Sequence, residues 1–192
     1  MERSISISQS DLYNIISESI SEELLQNNSF SIWKSKFDGY LMEMISQLTD
    51  RYLRYFGLNV EIDGSYNFGR KPWLACYEET SGKLENCTIL IAINYQRMYN
   101  GMVERGIDKD EFNIEAQARI TIGHEIAHGL IDYLVDYCNV ESDVVDEFVR
   151  DYYNGDIDDE KVTEEFGEMM FPEATGRYSS YLGNVLDNII EN

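Results

Sequence analysis

Histidine is nearly missing from this chain, with two copies in 192 residues. Proline is as scarce, also two, and 13 glycines complete a short supply of helix breakers. That composition suits long helices with short connections. Basic residues are outnumbered, 15 against 36 acidic ones, giving a formal net charge of -21. Such a surface repels phosphate, which argues against nucleic acid and against an anionic membrane as partners. Basic peptides and divalent cations suit it better. No apolar run approaches the roughly 20 residues of a membrane span. The opening stretch MERSISISQSDLYNIISESISEELL lacks the apolar core of a secretory signal, so a cytoplasmic location is expected. Cys76, Cys87 and Cys138 match no zinc-knuckle or redox-pair spacing. They read as buried, reduced thiols, with a Cys76–Cys87 bridge across a hairpin left open.

A core is present: 43% of residues are hydrophobic and 12% aromatic, enough for one domain at this length. Ser10 or Asp11 is placed to cap a first helix with Leu12, Ile15, Ile16, Ile20, Leu24 and Leu25 as its apolar stripe. A second helix over 31–56 uses Trp33, Phe37, Leu41, Ile45, Leu48, Tyr52 and Phe56, and Gly57 ends it. Residues 1–57 thus form a helical scaffold. The period then changes. LNVEI, WLACYEE and CTILIAIN read as three short strands, with TSGK as a turn between the last two. They predict a small antiparallel or mixed sheet between Leu58 and Asn94. From Gln96 onward the pattern is helical again. The expected class is α+β, with 58–192 a second unit packed in one body with the scaffold.

Both histidines fall within TIGHEIAHGL, residues 121–130. The sequence from Phe112 to about Tyr137 predicts one long helix, with Asp108, Asp110 and Glu111 near its positive end. His124 and His128 are then one turn apart on one face and can converge on a single ion. Glu125, next to the first, can reach a water beside that ion without ligating it. This is the HExxH arrangement of zinc hydrolases. Gly129 allows a close neighbour, and Asp132 either orients His128 or lies on a solvated face.

A catalytic zinc keeps three protein ligands and one open position. With no third histidine and no suitably placed cysteine, a carboxylate must serve. VESDVVDEFVRDYYNG offers one: Ser142 caps a helix whose packed side is Val145, Phe148, Val149 and Tyr152. Glu147 and Asp151 share its other face. Eighteen residues lie between His128 and Glu147, enough to end one helix, turn and lay a second beside it. Glu147 can ligate while Asp151 accepts a hydrogen bond from a ligating imidazole.

HEIAHGLIDY followed by ESDVVDEFVRDYY resembles the gluzincin metallopeptidases, typified by thermolysin and the aminopeptidase clan, over residues 120 to 154. Those proteins carry HExxH and then a glutamate within an ExxxD pattern. The resemblance implies a zincin-like fold, a small sheet on the HExxH helix with added N- and C-terminal helices. It implies one zinc per chain and hydrolysis of protein or peptide substrates, and the negative charge adds basic segments as the expected preference. His124, His128 and Glu147 become the zinc ligands, Glu125 the general base and Asp151 the carboxylate behind an imidazole. Thermolysin-type enzymes steady the intermediate with a later histidine, which this chain lacks. Tyrosine does that work in related peptidases, which brings forward Tyr178 and Tyr181, then Tyr152 and Tyr153. In zincins an edge strand pairs with the extended substrate. CTILIAIN is either that edge or a buried central strand.

A rival ligand source lies in DDEKVTEEFGEMMFP, whose close resembles a motif of the repressor-cleaving ImmA and radiation-response IrrE proteins. Glu160, Glu164, Glu165 or Glu168 would then complete the site, with 31 to 39 residues intervening after His128. Two further functions stay open beside an active endopeptidase. One is a zincin-fold module that binds or regulates a partner with little turnover. The other is a structural protein with zinc in a closed, four-ligand site.

Overall fold

The first helix is longer than the sequence pattern suggests. The computed structural model describes residues 9–78 and 87–192, with side chains over 27–78 and 87–192. Within it α1 runs unbroken from Gln9 to Leu48, where two helices are predicted. The stretch 26–31 is built of weak helix formers but holds neither glycine nor proline, so nothing forces a break. Phe30 and Trp33 then stack at 6.0 Å between ring centres and fix the helix to the core. The proposed capping residues Ser10 and Asp11 and the stripe from Leu12 to Leu25 lie outside the described side chains. A π turn, Thr49–Leu53, leads into α2, Arg54–Phe56. Gly57 stops it in the left-handed conformation, at φ 68°, which glycine adopts without strain.

Three strands follow: β1 Asn59–Asp63, β2 Ala75–Tyr77 and β3 Thr88–Ile93, in the order β1-β3-β2. β3 pairs parallel with β1, Val60 opposite Ile89, and antiparallel with β2, Cys76 opposite Ala92. The sheet is therefore mixed. CTILIAIN supplies the central strand, with Ile89, Ile91, Ala92 and Ile93 all buried, and among the described residues β2 is an edge. The predicted TSGK turn lies outside the described residues. All three cysteines are free thiols. Cys87 is exposed and Cys76 and Cys138 are half-buried, so none has the full burial expected.

The remaining helices are α3 Tyr95–Glu104, α4 Glu111–Asp132, α5 Asp143–Tyr153, α6 Asp159–Met169, α7 Pro172–Thr175 and α8 Tyr181–Glu191. Their starts are chemically marked. Asp110 accepts from Phe112 N, Ser142 from Val144 N, Asp158 from Lys161 N and Ser180 from Gly183 N. Each bond satisfies a backbone donor that the first turn leaves unpaired. A π turn, Tyr133–Tyr137, extends α4.

α4 is the axis of the molecule. Its Ile122, Ile126, Ala127 and Leu130 are fully buried among α1, the sheet and α6, in a core shared with Phe37, Met44, Ile91 and Phe166. Each of these isoleucines and leucines contributes about 1.5–3 kcal/mol relative to exposure. Two glycines of α4 set how near its neighbours come. A Cβ on Gly129 would stand 2.6 Å from Ile89 Cγ2, so β3 lies directly on this helix. One on Gly123 would stand 2.7 Å from Met170 Cγ, at the end of α6.

Candidate metal centre

α6 approaches α4 more closely than ordinary side chains permit. A Cβ on Gly167 would lie 2.5 Å from Ile120 O and 3.0 Å from His124 N. Glycine at 167 is thus what lets the two backbones touch, and any side chain would wedge them apart. Glu160, Glu164 and Gly167 occupy positions i, i+4 and i+7 of α6 and share a face. Gly167 sits beside Ile120 and His124, while Glu160 sits beside His124 and His128, so α6 runs antiparallel to α4. The crossing delivers the Glu160 carboxylate to the histidine pair.

His124 and His128 turn their Nε2 atoms toward each other, 3.2 Å apart, with ring planes at 82°. Glu160 Oε2 is 3.7 Å from His124 Nε2, and Oε1 is 3.9 Å from His128 Nε2. One ligand atom from each of the three residues lies within 4.8 Å of the others. Two nitrogens bound to one zinc at about 2.0–2.1 Å and a tetrahedral angle stand roughly 3.3 Å apart. The observed 3.2 Å fits that geometry. Burial pushes the His124 imidazole toward its neutral form, which is the form that ligates. The opposing pull comes first from the Glu125 charge, with smaller ones from Glu160 and Glu164.

Glu125 lies beside the donor group but outside it. Its Oε2 accepts a hydrogen bond of 2.7 Å from Tyr77 N, in the edge strand β2. Ladder bonds to β3 from Glu78 N and to Leu74 O fix the strand's register, so Ala75 and Tyr77 turn their backbone groups to the open edge. Burial raises the Glu125 carboxyl above its ordinary range, opposed by the Tyr77 bond and by His124. Trp73, Ala75, Cys76 and Tyr77 form one wall of a cleft of about 410 Å³, and His124, Glu125, His128 and Glu160 form the other. No family model, curated protein or solved structure matches this chain.

Among the described residues the carboxylate that groups with both histidines is Glu160, from the rival segment, and not Glu147. Glu147 projects from α5 with Arg150 Nη2 at 3.7 Å. Asp151 accepts from Arg150 Nε and Nη2 at 3.3 and 3.2 Å, and neither residue joins the donor group. The cause is that α5 packs on α8, through Phe148 stacked with Tyr181 at 6.0 Å, and turns its acidic face outward. Glu165 and Glu168 pair with Arg177 on another side of α6. Tyr178 is 79% exposed and lines no part of the cleft. Tyr153 donates to Asp136 at 3.1 Å. Burial first, then the Asp159 and Asp132 charges, raise the Tyr152 phenol, but among the described residues the tyrosine that lines the cleft is Tyr77.

Two features of the site escape the sequence reading. The wall formed by β2 was hidden because three residues carry too little pattern to mark an edge. Asp159 was passed over too, although it directly precedes Glu160; its Oδ2 lies 3.9 Å from His128 Nδ1. The signal for Glu160 itself was present: a glycine seven residues on, on the same helical face.

Proposed function

We propose that this chain is a zinc-dependent metalloendopeptidase whose ion is held by His124, His128 and Glu160. The observation that carries the reading is the donor group itself, two imidazoles 3.2 Å apart joined by a carboxylate from another helix, with Glu125 beside it. Three donors, not four, come together among the described residues, which favours an open catalytic position over a closed structural site. A zinc ion at such a position acidifies water and polarises a carbonyl oxygen. Glu125 takes the proton on its Oε1, because Oε2 is occupied by Tyr77 N, and passes it to the leaving amine. The outward backbone of Ala75 in β2 gives an extended peptide hydrogen bonds that do not depend on its side chains. Trp73 and Tyr77 supply aromatic surface along the same wall. The excess of acid over base favours basic segments as substrates.

Glu125→Gln tests the reading directly. The variant keeps its zinc and loses about 10²–10⁴-fold in kcat on a mixed peptide substrate. Chelator treatment of the parent abolishes the same cleavage. Parental turnover in the variant, or cleavage unaffected by chelator, removes the peptidase assignment. A protein that binds zinc stoichiometrically but cleaves nothing leaves the alternative of a binding or regulatory module.

A further inference from the structure

Asp159 and Glu160 are consecutive residues in the first turn of α6, and they address opposite edges of one imidazole. Glu160 Oε1 faces His128 Nε2 at 3.9 Å, while Asp159 Oδ2 faces His128 Nδ1 at 3.9 Å. The ring has only these two nitrogens. If Nε2 is the ligand atom, as its 3.2 Å approach to His124 Nε2 requires, Nδ1 must carry the proton. A proton there, facing a carboxylate, fixes both the tautomer and the rotation of the ring.

We infer that Asp159 is the positioning residue of this centre, the carboxylate that accepts the Nδ1 proton of His128 and holds Nε2 toward the metal. The role rests on the proposed zinc site and replaces Asp151 in it. Three observations support it. Asp159 is half-buried, and its second oxygen, Oδ1, is buried with no hydrogen-bond partner. Its other oxygen, Oδ2, faces the imidazole. Asp158 anchors the turn by capping Lys161 N at 3.3 Å, so Asp159 is delivered by a fixed backbone. Finally, a side-chain rotation of about 1 Å converts the 3.9 Å contact into a hydrogen bond of ordinary length. Asp159 does not serve as a fourth ligand, because it sits on the Nδ1 side of the ring and the donor group is assembled on the Nε2 side.

The test uses the full chain, stripped of metal and titrated with zinc against a chromophoric chelator. Asp159→Ala lowers zinc affinity about 10–100-fold relative to the parent, and Asp159→Asn, which keeps a neutral acceptor, lowers it less. Asp151→Asn binds as the parent does. Circular dichroism of the metal-free proteins separates this loss from unfolding, and the isosteric Asn variant remains informative if the Ala variant does not fold. A second readout does not depend on affinity. The chain has two histidines, so zinc-loaded protein labelled with ¹⁵N shows two imidazole rings. The His128 Nδ1 proton exchanges slowly in the parent and rapidly in Asp159→Ala, while the signals of the other ring are unchanged. Equal zinc affinity and equal proton exchange in parent and Asp159→Ala overturn the inference while leaving the zinc site intact. A parent that binds no zinc overturns the site, and the positioning role with it.

Discussion

α5 and α6 are near twins by composition. Each has 11 residues, a polar N-cap, an acidic first turn and one deeply buried phenylalanine, Phe148 or Phe166. Their glutamates of interest are comparably exposed, Glu147 at 67% and Glu160 at 74%, so exposure does not distinguish the one that reaches the histidines from the one that does not. One difference between them is a glycine. α6 carries Gly167, which brings its backbone against Ile120 and His124, and α5 has no glycine. Close backbone approach aims Glu160 at the histidines. Packing on α8 sends Glu147 to Arg150 instead. The lesson is that the carboxylate meeting the histidines is chosen by which helix can come near, more than by which helix carries carboxylates.

That comparison can be broken most severely at the ligands themselves. Glu160→Gln should cost more zinc affinity than the about 10–100-fold typical of outer-shell losses, whereas Glu147→Gln should cost none. Chelator competition on the two variants decides it, and the opposite ranking would restore α5 as the ligand helix. Gly167→Ala tests the cause. Its methyl meets Ile120 O at 2.5 Å, backbone that cannot swing aside, so stability falls by about 1–3 kcal/mol. Zinc affinity should fall with it as Glu160 is pushed away. Denaturant unfolding with and without zinc measures both, and an unaffected zinc affinity would separate the glycine from the site. The smallest effect comes from the caps. Ser142→Ala and Asp158→Ala each remove an N-cap worth about 1 kcal/mol. Only the second, at the head of α6, should also weaken zinc binding in the same titration.

Much of the centre was legible in one dimension. His124, Glu125 and His128 needed only the helical repeat, since i and i+4 share a face wherever a helix forms. The α5 cap at Ser142 and the stop at Gly57 followed from local hydrogen bonding and φ preference. The continuity of α1 did not, because absence of strong helix formers over 26–31 is not presence of a breaker. Strand order was beyond reach as well. β3 looks alike as an edge or a centre until its partners are known, and two partners make it the centre.

Sequence alone, then, determined that this chain places two imidazoles and a carboxylate on adjacent positions of one helix, because those relations are set within a turn and need no partner. Which distant carboxylate meets them, which strand borders them and which way each helix faces were decided by tertiary packing. Those choices turn on close approaches at glycines such as Gly129 and Gly167, where an added Cβ would stand 2.6 Å from Ile89 Cγ2 or 2.5 Å from Ile120 O, neighbours that lie far away along the chain.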